Sequence, residues 1–348
     1  MPDNETIHIA LAFCDPRGTY ARHAAVTMAS IFENCRTKPI CVHILHDETL
    51  TPANKEKLSM LSGRYDHECN FVNVSANFEE LKRKAKSLPI DGYRGTMFRL
   101  FLSDVLTVQK VIYLDCDIVV EMDITELWDA PLYGCSAGAV RDVWTLDFIE
   151  GKKVPWRLGK VWDLLDIPHD SYFNAGVMVL DLDRIREKYS LSDRVLEFYS
   201  QYRRCITLHD QDFLNWIFVH DVRLLDERFN HINLPSGGGD YVCGSIWHMA
   251  GGSAKPWNSY TRPYVDDLYW RYLRLTPYCK DENELLHLML TGMAASPLMH
   301  HHSADCVKRL IKQLEDDIFR AHIWKIPPVL WKLLIKRLLG TNDRRGQA

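Results

Sequence analysis

The chain has 348 residues, of which 47% are hydrophobic and 25% charged, with a formal net charge of -4. That length can bury a large core as one α/β domain or two smaller ones, and the composition excludes a disordered or collagen-like chain. The charge gives nucleic acid no overall attraction, so nucleic acid is not an expected partner and any basic surface must be local.

Residues 7–13 form a short apolar run with little alternation, the pattern of a buried parallel strand. After the turn Cys14-Asp15-Pro16-Arg17-Gly18, residues 19–34 have helical periodicity, with Ala24, Met28 and Ile31 on one face. Strand, loop and helix in that order open a nucleotide-binding α/β unit, although the loop carries no G-x-G-x-x-G. A strand over 40–45, a helix over 51–61, a strand over 70–74 and charged helical residues 77–86 follow. A helix over 96–106 then brings Arg99 inward or to its end. This alternation predicts a mainly parallel sheet wrapped by helices.

Residues 111–120, VIYLDCDIVV, are an apolar run interrupted by Asp115 and Asp117. Strand residues two apart share a face, so both carboxylates project the same way while Cys116 points back. Like charges that close repel unless a cation sits between them, and the carboxyl edge of an open sheet is where such folds bind ligands. Asp-x-Asp recurs at Asp181/Asp183 and Asp210/Asp212, so the spacing alone decides nothing. The setting separates the first copy, because unpaired charges inside an apolar run are costly to bury. Asp183 precedes helical residues 184–189, and Asp210 opens a helix with Gln211 and Asp212 in its first turn; an N-cap is the structural reading of Asp183 and Asp210.

A short helix is expected over 124–128 and a strand over 135–141. Residues 142–170, rich in Trp, Gly, Pro and charge, read as a functional loop or lid at that length. Residues 171–182 start polar and become a buried strand, and 191–202 form a helix. The glycine-rich stretch RFNHINLPSGGGDY leads to SIWHMAGGSAKPW, where His248, two glycines and Lys255 fall within eight residues. A lone His is more often structural, yet a His and a Lys flanking Gly-Gly suit a metal-bound diphosphate.

Ten cysteines run from Cys14 to Cys306 without a C-x-x-C pair, which argues against a zinc module or thioredoxin-type site and for reduced, mostly buried thiols. His300 to His302 read as a solvated loop. Residues 323–339 set Trp324 and Trp331 beside Lys325, Lys332, Lys336 and Arg337. That pattern fits a basic amphipathic anchor on anionic membranes, and equally a helix packed on the domain or a subunit contact. The N-terminal MPDNETIH lacks the features of a signal peptide and no apolar stretch reaches bilayer length, so a cytoplasmic location is expected.

Taken in order, AFCDPRGTY, MFRLFLSD, VIYLDCDIVV, YFNAGVMVLDL, HDQDFLN and HMAGGSAKPW resemble the family 8 retaining glycosyltransferases, which include bacterial lipopolysaccharide galactosyl- and glucosyltransferases and glycogenin. The resemblance runs from Ile7 to Trp257. It implies an α/β fold of GT-A type, a Rossmann-like nucleotide-sugar domain with a mostly parallel central sheet over 1–262, followed by a helical C-terminal region over 263–348. It implies Asp115, Asp117 and His248 as ligands of a divalent metal, Mn2+ with Mg2+ as second choice. Lys255, with Gly251 in its loop, would meet the donor diphosphate, and Asp15 and Tyr20 the uracil and ribose. Arg99, Asn174 and Ala175 would face the donor sugar, and Asp142 the sugar or acceptor. Asp210 and Gln211 would line the reactive face, with Asp212 beside them.

The reaction implied is transfer of a hexose, with retention, from UDP-glucose or UDP-galactose to a saccharide acceptor. Lipopolysaccharide or another cell-surface saccharide is the expected acceptor, with residues 323–348 touching the inner face of the cytoplasmic membrane. Gln211 is a poor nucleophile and favours front-face attack, while Asp212 leaves a covalent route open. Two features depart from the family pattern. Lys255 stands seven residues after His248 rather than six, and Cys14 replaces a commonly acidic residue. A sugar nucleotidyltransferase would need a glycine-rich loop after the first strand, which Cys14 to Gly18 do not supply. A non-catalytic nucleotide- or glycan-binding protein would not need the metal set with Lys255.

Overall fold

The computed structural model describes residues 6–35, 37–85, 94–232, 242–251, 255–258 and 263–294. The expectations for His300 to His302 and for residues 323–348 lie outside the described residues. The strands are β1 (Ile7–Phe13), β2 (Ile40–His46), β3 (Glu68–Asn73), β4 (Lys110–Leu114), β5 (Ile118–Val120), β6 (Ala137–Arg141), β7 (Phe173–Asp181), β8 (Val222–Leu224), β9 (His231–Ile232) and β10 (Ile246–His248). Seven form one sheet in the order β3-β2-β1-β4-β7-β6-β8, and β5-β10-β9 form a second. β1 to β4 run parallel where they pair, as do β6 and β8, whereas β7 is antiparallel to both neighbours.

The near-continuous apolar runs of β1, β4 and β7 are explained by burial on both faces of the large sheet. Ile9, Leu11, Ile112, Leu114, Val177 and Val179 belong to one core. Their alternate neighbours Ala10, Val111, Tyr113, Met178 and Leu180 belong to the other. Helices Ala21–Asn34 and Pro263–Leu273 cover the first face, joined by a 2.7 Å hydrogen bond between His23 Nδ1 and the Tyr269 hydroxyl. Helices Ser75–Ala85, Leu191–Tyr202 and Asp210–Ile217 cover the second. Among the described residues no helix is long and apolar enough to cross a membrane.

Several elements differ from the expectations. The helix over 96–106 is broken into Arg94–Met97, a 3-10 segment Phe98–Phe101 and Leu102–Val105. All four residues of the 3-10 segment are buried, so no single helical stripe governs them, and Arg99 Nε bonds back to Thr96 O at 3.0 Å. Residues 142–170 hold two helices, Val143–Ile149 and Trp156–Leu164, the second anchored by buried Trp162 against Tyr172. Asp181, not Asp183, caps Leu182–Lys188 by accepting from the Arg184 amide at 3.0 Å. The helix begins earlier because Asp181 already has the extended backbone a cap needs. The residue before Asp210–Ile217 is His209, at φ +44°, so Asp210 lies inside the helix and does not cap it. All nine described cysteines are free, and four of them are buried.

Asp221, just before the edge strand β8, accepts from the Ser136 amide and hydroxyl, Lys188 and the Tyr189 hydroxyl. Burial pushes its carboxyl up, but Lys188, Ser136 and Tyr189 outweigh this and hold it below the usual range. A depressed folded pKa contributes stability that is present above the unfolded value and lost as pH falls. Asp221→Asn should therefore cost about 1–3 kcal/mol at neutral pH. Urea melts should show that difference shrinking as the pH falls below about 4.

Candidate functional site

The site forms where β4 stops. Asp115 leaves the strand with its amide donating to Gly176 O on β7 at 2.8 Å, and the chain turns through Cys116 and Asp117 into β5. Cys116 points into the core. β10 pairs antiparallel with β5, placing His248 opposite Ile118, and the Met249 amide donates to Asp117 O at 2.9 Å. His248 Nε2 thereby lies 3.4 Å from Asp117 Oδ1 and 3.8 Å from Asp115 Oδ2. The three side chains can each offer one ligand atom, all within 4.8 Å of one another.

The tautomer of His248 follows from its neighbours. Asn174 Oδ1 accepts from the Gly176 amide, so it is an acceptor; Asn230 Nδ2 donates to it, which turns Asn230 Oδ1 toward His248 Nδ1 at 3.0 Å. Nδ1 then carries a proton, which turns Nε2, the atom available to a metal, toward the two aspartates. The residues present therefore fit a divalent ion. The side chain of Lys255 contacts Asp117 Oδ2 and donates to Met249 O at 2.8 Å, so it reaches the carboxylates across the longer His248-to-Lys255 spacing. Gly251, at φ +101°, turns the backbone within that interval. Burial pushes Asp117 up, but the Lys255 ammonium and then His248 overcome it and hold the carboxyl well below the ordinary range.

Arg99 ties this cluster to the next. Its guanidinium donates to Ala175 O at 2.6 Å and Asp115 Oδ1 at 2.9 Å, and Nε lies 3.1 Å from Asp210 Oδ2. Burial works against its charge, yet Asp115, Tyr113 and Asp210 keep its pKa above the usual value. Asp210 itself is pushed up by burial, opposed by Arg99.

A bulge in β7 supplies the third group. Pairing with β6 jumps from Ala139↔Met178 to Val140↔Asn174, so residues 175–177 of β7 are out of step with β6. The Ala175 amide donates to Gln211 Oε1 at 3.1 Å and the Gly176 amide to Asn174 Oδ1. Gln211 Oε1 also accepts from Asn174 Nδ2, while Gln211 Nε2 donates to Asp142 Oδ2 at 3.1 Å. Asp142 caps its own helix and is buried.

Two named residues have carboxylates engaged by the fold itself. The Asp212 carboxylate is fully buried and accepts from the Tyr172 hydroxyl and the Thr207 and Leu208 amides; the Tyr172 hydroxyl, which also accepts from Gln211 Nε2 at 3.4 Å, stands between it and Gln211. Asp15 is also buried and accepts from the Tyr20 amide and Asn54 Nδ2. Tyr20 lines the cavity of about 360 Å3 beside Phe13, Arg99, Asp115, Asp117 and Lys255, a size in the range of ligand pockets. A larger cavity of about 740 Å3, between Trp156–Leu164 and residues 204–207, shares none of these residues.

Sequence reasoning missed Asn230 and Gly176. Both sit in stretches it singled out, but only the proximity of β7, β9 and β10 gives them a role. A Cβ on Gly176 would come within 2.3 Å of His248 Cε1 and 2.9 Å of Asp115 Oδ2.

Residues 10–261 match the family model for glycosyl transferase family 8. General stress protein A of Bacillus subtilis is 27% identical over 299 residues, covering 80% of this chain and 96% of that protein. Glycosyltransferase GlyF of Streptococcus pneumoniae is 29% identical over 202 residues, 56% of this chain and 45% of its own length. Among solved structures, galactosyltransferase LgtC in complex with donor and acceptor sugar analogs superposes with a TM-score of 0.65 at 22% identity, covering 79% of this chain and 98% of that one. That likeness carries the GT-A fold.

Gly176→Ala should displace the His248 ring and weaken divalent-ion binding by about 10–100-fold, the loss typical when a ligand's orientation is disturbed. Isothermal titration with Mn2+ measures it, and circular dichroism checks that the variant is folded.

Proposed function

The chain belongs to glycosyl transferase family 8, and from that premise we propose that it is a metal-dependent retaining hexosyltransferase, moving glucose or galactose from a UDP-sugar to a saccharide acceptor. The observation that carries this reading is the convergence of Asp115, Asp117 and His248 beside a cavity that the two aspartates line together with Arg99 and Lys255. Two carboxylates and one imidazole suit Mn2+ best, with Mg2+ second. Bound there, the ion would act as a Lewis acid toward the diphosphate leaving group.

In this reading Lys255 exchanges its contact with Asp117 for a phosphate oxygen and adds positive charge to the leaving group. Tyr20 and Phe13 flank the nucleoside end, and Asp15 shapes that end by holding the Tyr20 and Asn54 side of the loop. Asp142, Asn174 and Gln211, fixed by mutual hydrogen bonds, and Arg99, held by Asp115 and Ala175 O, present their remaining polar valences to the donor sugar. The Ala175 and Gly176 amides are already spent on Gln211 and Asn174, so residues 175 and 176 serve by positioning those side chains.

The engagement of Asp212 with Tyr172 and two amides supports front-face attack over a covalent intermediate on that residue. The acceptor oxygen bonds to the anomeric carbon as the bond to the diphosphate oxygen breaks on the same face. The hydroxyl proton passes to the departing phosphate. The acceptor we propose is a cell-surface glycan, lipid-linked, reached from the cytoplasmic face with residues 323–348 as a peripheral anchor.

A donor panel with Mn2+, read by UDP release, should give turnover with UDP-glucose or UDP-galactose that EDTA abolishes and Mn2+ restores. Asp117→Asn should lower kcat/KM by about 10²–10³-fold, and NMR of the product should show the donor's anomeric configuration. UDP binding without UDP release from any donor would instead identify a binding protein. Deleting residues 323–348 should weaken sedimentation with anionic vesicles while donor hydrolysis persists; unchanged sedimentation would remove the anchor from the account.

A further inference from the structure

At the amino-terminal ends of β1 and β2, on the opposite edge of the sheet from Asp115, three side chains with metal-ligating atoms come together. The parallel register pairs His8 with Cys41, and His43 lies two residues farther along β2. Paired residues share a face, as do strand residues two apart, so all three project to the same side. Their ligand atoms lie within 4.8 Å of one another, with Cys41 and His43 buried and His8 partly so.

The nitrogen pair already has about the separation a tetrahedral ion needs. His8 Nδ1 and His43 Nε2 are hydrogen-bonded to each other at 3.1 Å, a contact the ion would replace. Two nitrogens bonded to Zn2+ at the usual length stand about 3.3 Å apart at a tetrahedral angle. β3 extends the same row, pairing Glu68 with Cys41 and Asn70 with His43. Asn70 Nδ2 donates to Cys41 Sγ at 3.1 Å, while burial and then Glu68 push the Cys41 thiol up to about 11, so the thiol gives up its proton only to a metal. Two imidazoles and one sulfur are a ligand set that zinc accepts and that magnesium does not prefer. All three come from adjacent strands of a rigid sheet, which fixes their positions more closely than loops would.

We propose that His8, Cys41 and His43 bind a Zn2+ ion, with solvent at the fourth position, clasping the amino-terminal ends of β1 and β2. Binding forms the zinc–thiolate bond and releases the Cys41 proton to solvent. The site shares no residue with the donor cavity, so it stands or falls independently of the transferase reading. Cys-x-His with a histidine 33 residues upstream is not a zinc-module spacing; the strand register alone assembles it.

The test uses the full chain, equilibrated with Zn2+, passed over a chelating resin and assayed for zinc by mass spectrometry. The Asp115→Asn/Asp117→Asn double variant, which removes the competing carboxylates, should retain about one Zn2+ per chain. Adding Cys41→Ser or His43→Ala to that background should lower retention at least tenfold. Loading the double variant with Co2+ should give a near-ultraviolet thiolate-to-metal charge-transfer band. Zinc-free protein, or retention unchanged by either added substitution, overturns the proposal. If circular dichroism shows any of these variants unfolded, the cobalt band of the unsubstituted chain decides, because Asp115, Asp117 and His248 offer the ion no thiolate, and its absence overturns the proposal equally.

Discussion

Two carboxylates two residues apart, at the end of a strand buried on both faces, cannot be left uncompensated. Their neutralisation accounts for much of the surrounding structure. Asp115 is paired with the buried guanidinium of Arg99 and the Tyr113 hydroxyl, and Asp117 with Lys255 and His248. The compensating groups come from the 3-10 segment after the second parallel unit, from β10 and from the segment beyond it, so three distant stretches meet at one turn. Leaving one partner out would strand a charge in a low-dielectric setting, which costs more than the pair contributes. That asymmetry makes the cluster a strong constraint on how these elements pack.

The reversed direction of β7 is the second constraint. Running antiparallel to β4, it brings Gly176 opposite Asp115, and its bulge beside β6 puts the amides of residues 175 and 176 out of step with that strand, where side chains from Asn174 and Gln211 meet them. A continuous series of hydrogen bonds then runs from Asp142 through Gln211, Asn174 and Asn230 to His248. The orientation of the imidazole at one end and of the amide at the other are thus set by the same bulge. Under the proposed function, a site that holds a nucleotide-sugar and stabilises a leaving diphosphate needs fixed donors rather than adaptable ones.

Much of the fold was legible because apolar strands and amphipathic helices alternate with clear periods. The Asp115/Asp117 pair was legible because charge inside VIYLDCDIVV is chemically anomalous. His248 and Lys255 were legible as a pair on glycine-bearing backbone, yet nothing in their spacing says that Lys255 meets Asp117. Asp212 looked equivalent to Asp210 and Gln211, since a helix first turn gives no means of telling which side chains face a cavity and which cap the preceding loop. Asp183 and Asp181 are likewise indistinguishable until the strand's last paired residue is known.

By itself, then, the sequence determined the chemistry at hand: which residues carry charge, sulfur or imidazole, which runs must be buried, and the order of a family 8 transferase. Tertiary structure decided which of those groups meet. Gly176 matters because a ring lies 2.3 Å from where its Cβ would be, Asn230 because it fixes a tautomer, and His8 and Cys41 because parallel register puts residues 33 apart side by side. Steric proximity and hydrogen-bond direction are properties of pairs distant along the chain, and a local pattern of residue types does not encode them. The turn at Asp115 to Asp117 shows both halves: its charges could be read from the sequence, but the protons and partners that make it usable come only from β7 and β10.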